Sequence, residues 1–437
     1  MSLLASSDQP VYALPEENLV PVSDHLTHMA PIAASRIFLL RQSLEVYRQK
    51  YPDSPVYLAS QGDGGASLPG VPRAILERAA QIQIEHGTGY DEPSGTDEYK
   101  KAVIRKYWKV KPELGYSDKN VMAVMGGRDG LAKAYDAMLA LGHGREGDVV
   151  VFSRVPWVSY TWGPYALGAN VMYAPGREED GWAHTEEGIQ ACVDLAAKSG
   201  RKVAGVVITS PENPTGLTYT AQRQAELGKA ALAAGAAFVF YDWMYHYVTD
   251  ENPMDLNTFL PLFTPQERER LIFMDGITKS LGASNIRNCH LIASNAVIDF
   301  MSARTSHTYV PSFFSMAVAM AAYEMGFDKA SQPIIEPINI SRRWMEQFLK
   351  KHDFTYILGK GYYAFIRMSK WLKLGGWEDS EPLVQYLAGN YGMTVVPGSF
   401  FSPYGREWVR YSYATPLERT QGAAQRMLAG LKALEGK

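Results

Sequence analysis

Only two cysteines, Cys192 and Cys289, occur in the 437 residues. They are too few and too far apart for a disulfide framework or a cysteine-based metal site, and no metal is expected. Such sparse cysteine fits a reducing, cytoplasmic setting. No window approaches the eighteen or so uncharged apolar residues of a membrane-spanning helix. The opening MSLLASSDQPVYALPEENLV lacks a basic segment followed by an apolar one, so no secretory signal is expected. An excess of one charge is missing too: 43 Lys and Arg face 46 Asp and Glu, a net −3. That balance gives no electrostatic case for nucleic acid or an anionic membrane as partner. Internal repeats, low-complexity tracts and charge blocks are absent as well.

What is present is an ordinary globular composition, 46% hydrophobic and 12% aromatic. Residues 1 to about 30 read as an irregular, proline-dotted arm, and 30–51 as an amphipathic helix. From about 120 to 295 short apolar runs alternate with longer helical ones. The runs are VMAVM (121–125), DVVVFS (148–153), VAGVVIT (203–209), AAFVFYD (236–242), RLIFMD (270–275) and HLIAS (290–294). Continuous apolar strands separated by helices predict an α/β fold whose mostly parallel sheet is covered on both faces. Beyond about 325 long helices and short strands predict a smaller α+β unit. The expected domains are 1–62 (arm and helix, joining the small domain), 63–325 (large) and 326–437 (small).

Ligands of such sheets collect beyond the carboxyl ends of the strands, so the residues there carry the functional reading. VMAVM is followed by Gly126, Gly127 and Arg128 ahead of a helix, a backbone arrangement suited to phosphate. The spacing is not the Gly-x-Gly-x-x-Gly of a dinucleotide fold. After DVVVFS come Trp157 and Tyr160; after VAGVVIT comes SPENPTG with Asn213; AAFVFY ends on Asp242, with Tyr245 close behind. RLIFMD leads to Lys279, and Arg287 follows eight residues later. Singly, each is compatible with a turn or with core packing. In this order they fit pyridoxal 5'-phosphate. That coenzyme needs an amine for its aldehyde, an anion beside its ring nitrogen, donors for its phenolate, an aromatic face and a phosphate cradle. Lys279, Asp242, Asn213 with Tyr245, Trp157, and Gly127–Arg128 with Arg287 match those needs in turn.

From about residue 56 onward the chain resembles the class I/II aminotransferases of fold type I. Asn213-Pro214-x-Gly216, Asp242-x-x-Tyr245 and Lys279 with Arg287 match that family's motifs in order. The resemblance implies a seven-stranded sheet in the large domain and a homodimer. It also implies Lys279 as the Schiff-base lysine, with Asp242 and Tyr245 beside it. GYDEPSGTDEYKKAVIRKY resembles the segment whose tyrosine, here Tyr90, reaches the cofactor phosphate of the neighbouring subunit. PGSFF…WVRYSYA places Arg410 on the substrate carboxylate, with Gly62 of ASQGDGG contributing its backbone. The chain departs from the family pattern at Gly276, where a serine is usual, and at Asn288-Cys289, Trp243 and Glu212; Thr278 replaces a serine. These departures point to a specialised member.

The implied reaction moves the amino group of an L-amino acid to a 2-oxo acid. Decarboxylation, elimination, cyclisation or oxidation on the same scaffold share nearly the same residues and stay open at this stage. A nicotinamide oxidoreductase lacks its glycine fingerprint here, and an effector-sensing module lacks a DNA-binding segment.

Overall fold

The computed structural model describes residues 40–142, 144, 148–249 and 253–436. The expected arm and the first part of the expected helix lie outside these. The described part of that helix, Leu40–Lys50, buries Leu44 and Tyr47 on one face.

Seven strands form the central sheet: β1 (Val121–Val124), β2 (Val149–Phe152), β3 (Asn170–Tyr173), β4 (Val203–Thr209), β5 (Phe238–Asp242), β6 (Leu271–Gly276) and β7 (Cys289–Ala293). Their order across the sheet is β1-β7-β6-β5-β4-β2-β3. All neighbours are parallel except β7, which runs antiparallel to both β1 and β6. Six of the strands are those predicted. The seventh, β3, is four residues long and opens on Asn170, so it gives little signal among its neighbours.

Both faces of the sheet are buried, which is why the strands read as unbroken apolar runs. Met122, Val124, Val150, Phe152 and Phe240 belong to one core, and Val121, Ala123, Val149, Val151 and Tyr241 to the other. This odd–even division follows from side chains alternating across a strand. It also decides which polar residues meet. Asp242, in step with Phe240, points to the first face. Asp275 on β6 is in step with Phe273 and points to the second, where His246 Nε2 lies 2.8 Å from its Oδ2.

A second sheet is antiparallel. It is built from β8 (Tyr356–Leu358), β9 (Tyr363–Arg367), β10 (Val396–Pro397) and β11 (Trp408–Ser412), in the order β10-β11-β9-β8. The MTVVPG run is divided: Val396–Pro397 joins this sheet, whereas Met393–Thr394 pairs in parallel with Tyr57–Leu58. That pairing brings the Ala59–Gly62 segment alongside β11, where Ser412 N donates to the Ala59 carbonyl at 2.7 Å.

Candidate active site

The parallel register lines up Thr209, Asp242 and Met274 at the carboxyl ends of three adjacent strands. Beyond β6 the chain turns through a one-turn helix, Ile277–Ser280, which carries Lys279. From the other side the second sheet brings Tyr363 of β9 and Arg410 of the adjacent β11, two positions out of register. The result is a cavity of about 630 Å³ between the two sheets. Its lining includes Gly62, Gly127, Arg128, Trp157, Asn213, Asp242, Tyr245, Thr278, Lys279, Arg287 and Arg410. Of the predicted site residues, Tyr90 alone lies elsewhere: its side chain is fully exposed.

Lys279 Nζ donates to the Gly62 carbonyl at 2.6 Å, and the Tyr362 hydroxyl donates to the Lys279 carbonyl at 2.5 Å. No carboxylate pairs with this amine among the described residues. Asp242 is 5% exposed and accepts from the Tyr160 hydroxyl and from Met244 N at 3.0 Å. Burial pushes its carboxyl up to about 6; the Tyr160 and Met244 bonds oppose that rise, Asp275 adds to it, and the Lys279 charge opposes it. A buried carboxylate lacking a cationic neighbour in contact is costly to ionise. It therefore suits a ligand with a protonated ring nitrogen.

The anion-binding features lie at two ends. At one, the helix Gly127–Leu141 begins, its first N–H groups having no partner within the helix. Arg287 sits beside it, donating to the Ser284 carbonyl at 2.8 Å and the Met125 carbonyl at 3.2 Å. Gly126 suits this turn because its φ of +80° lies in the left-handed region, and a Cβ here would press on Arg287 Nη2 at 2.3 Å. Arg128 lies 5.5 Å above the Trp157 ring. At the other end Arg410 is 3% exposed and held between aromatic rings, 4.2 Å from Tyr363 and 5.1 Å from Phe401. It donates to Asn213 Oδ1 at 2.8 Å and to the Ser60 carbonyl at 3.1 Å, while its Nε has no partner among the described residues. A buried guanidinium that lines the cavity and contacts no carboxylate among the described residues fits a ligand carboxylate. Lys279, Asp242 and the two anion ends thus match the groups of pyridoxal phosphate and an amino acid.

Two departures from the family pattern lie outside the cavity. Trp243 is buried in the second core, its indole N–H donating to Gln224 Oε1 at 2.8 Å. Glu212 accepts from Thr215 Oγ1 at 3.0 Å; burial pushes it up to about 8 despite bonds from Thr215 and Ser153. A third is explained by strand packing: a Cβ at Gly276 would stand 2.6 Å from Cys289 Cα. Sequence reasoning noted Tyr160 without linking it to Asp242, and missed Tyr363, Thr209 and Ser284. A tyrosine three residues after Trp157 was the available signal for the first; the others carry none.

The Aminotransferase class I and II family model matches residues 59–427. The aspartate aminotransferase of Geobacillus stearothermophilus is 26% identical over 361 residues, covering 82% of this chain and 87% of that relative. That of Pyrococcus horikoshii is 26% identical over 377 residues, with 84% and 88% covered. Among solved structures, Thermus thermophilus aspartate aminotransferase with maleate superposes with a TM-score of 0.76 at 20% identity, covering 91% of this chain and 97% of that one. An aminotransferase from Mycobacterium tuberculosis gives 0.77 at 18% identity, covering 94% and 99%. The chain belongs to the class I and II aminotransferase family, and is a pyridoxal-phosphate-dependent enzyme that transfers amino groups.

Proposed function

We propose that this aminotransferase works through Lys279, with Asp242 and Arg410 as its two electrostatic anchors. The observation that carries the reading is their convergence on one cavity from three separate parts of the chain. When bound, pyridoxal phosphate supplies an aldehyde that captures amines and a ring that draws electrons from the adjoining carbon. Lys279 Nζ would hold that aldehyde carbon at rest. Once released it would be the base that takes the substrate's α-proton, a task suited to an amine that makes no ion pair with a carboxylate among the described residues. Asp242 holds the ring nitrogen, Tyr245 and Asn213 face the phenolic oxygen, and Trp157 covers one ring face. Gly127, Arg128, Thr278 and Arg287 take the phosphate. Arg410, with Asn213 and the Gly62 backbone, grips the α-carboxylate of the amino acid and then of the 2-oxo acid.

The working unit in this reading is a homodimer. Tyr90 is exposed together with Ile84 and Leu76 of the helix Arg73–His86 and with Tyr309 and Phe314. The helix Phe313–Met325 packs on Arg73–His86, with Phe313 stacked on His86, which gathers these side chains toward one region of the surface. A second copy covering it would put Tyr90 within reach of the neighbouring phosphate site. The two sheets support a division of the chain near the long helix Phe327–Lys351. Two free, buried cysteines agree with the cytoplasm.

Lys279→Ala tests the assignment. The variant should fold, lose borohydride-fixable coenzyme, and fall by several orders of magnitude in transamination of an amino-acid panel. Normal turnover would overturn it. Sedimentation of the loaded enzyme tests the dimer, and a fully active monomer would exclude it.

A further inference from the structure

Tyr363 touches both halves of the site and has no role in the reading above. It opens β9 and is buried, its ring 4.2 Å beneath the Arg410 guanidinium. Its hydroxyl lies 3.0 Å from that of Tyr245, and a Cβ at Gly62 would stand 3.0 Å from the same oxygen. Tyr362, its neighbour, packs its ring on Tyr245 but gives its hydroxyl to the Lys279 main chain. The charged and titratable groups around the phenol pair are Arg410, Lys279 (5.8 Å from the Tyr245 ring) and Tyr362.

A phenol has one proton. When two phenols face each other, one proton fills the gap between them and the other is free to point elsewhere. Among the described residues, each of these hydroxyls has the other as its hydrogen-bond partner. If Tyr245 is to donate into the cavity, Tyr363 must donate to Tyr245. A hydroxyl that accepts a hydrogen bond is in turn a better donor.

We propose that Tyr363 is a positioning residue: its hydroxyl donates to Tyr245 Oη and turns the Tyr245 proton toward the coenzyme's phenolic oxygen, while its ring supports Arg410. One side chain thereby joins the coenzyme contact to the substrate contact. The proposal rests on the roles given to Lys279 and Tyr245.

Tyr363→Phe separates the two functions, because it keeps the ring and removes only the hydroxyl. A weaker donor leaves more charge on the phenolic oxygen, so the nitrogen conjugated to it holds its proton to higher pH. The pH midpoint of the loaded enzyme's absorbance should rise by about 0.5–1 pH unit, with the KM for the amino acid within about twofold. Tyr363→Leu also removes the ring and should raise that KM about tenfold. Tyr245→Phe should move the midpoint further, and adding Tyr363→Phe to it should move it no more. An unchanged midpoint in Tyr363→Phe, or an additional rise in the double variant, overturns the proposal. Coenzyme that borohydride still fixes to Lys279→Ala overturns the underlying site reading instead.

Discussion

Arg410 and Asn213 meet at 2.8 Å across 197 residues of sequence, one from the antiparallel sheet and the other from the loop after β4. The contact orients the guanidinium where it lines the cavity, with no carboxylate contact among the described residues. Arg410 is thus preorganised for a second planar partner.

Arg410→Lys tests that preorganisation. It preserves the charge but not the fork that grips a carboxylate through parallel bonds. We expect kcat/KM to fall by about 10²-fold, mostly through KM, equivalent to the roughly 1.5–3 kcal/mol of a charge-assisted hydrogen bond. Steady-state kinetics on amino acid and 2-oxo acid separately should show the loss for both, since both carry the carboxylate.

Tyr160→Phe removes the side-chain donor to Asp242. That bond opposes the effect of burial, so the carboxyl of the variant should ionise only above its present value of about 6. Coenzyme affinity at neutral pH should weaken by about tenfold, the size of one hydrogen bond to a charged group. Fluorescence titration of the apoenzyme measures it, and the deficit should shrink as pH is raised toward 9.

Glu212 makes stability depend on pH. Burial raises it to about 8 in the folded protein, whereas the unfolded chain releases this proton in the ordinary carboxylate range. Between those values the unfolded state binds fewer protons, so the stability this group contributes is full below the ordinary carboxylate range and falls as pH rises toward 8. Glu212→Gln keeps an acceptor for Thr215 and has no proton to lose. Its Tm should decline less between about pH 5 and 8, with a gain at pH 8 on the order of a few kcal/mol. Parallel profiles for the two proteins would show that Glu212 is not the group responsible.

Restoring the serine usual in the family, as Gly276→Ser, should be unfavourable. The new Cβ would meet Cys289 Cα at 2.6 Å and the Asn288 carbonyl at 2.7 Å, both backbone atoms that cannot rotate aside. Overpacking of this kind costs about 1–3 kcal/mol. Chemical denaturation should report it, and a weakened phosphate site should accompany it, because Thr278 follows two residues later. Stability equal to the parent would mean that the two strands separate easily.

Much was legible in the linear chain because a strand buried on both faces must be apolar throughout, and a polar residue at its end stands out. That pattern placed Asp242 and Lys279 at the sheet's rim, and the ordered motifs around them implied the coenzyme and the reaction. The sequence marks a carboxylate at the end of β5 and another near the end of β6 with equal emphasis. Only the pleat of the folded sheet directs Asp242 into the cavity and Asp275 to the opposite face. In the same way Trp243 and Glu212, neighbours in sequence of Asp242 and Asn213, turn away from the site. Tyr160 reaches Asp242 over 82 residues and Tyr363 reaches Tyr245 over 118. Contacts of that range depend on how strands pair and on which way each side chain faces, quantities that no local pattern of residues encodes.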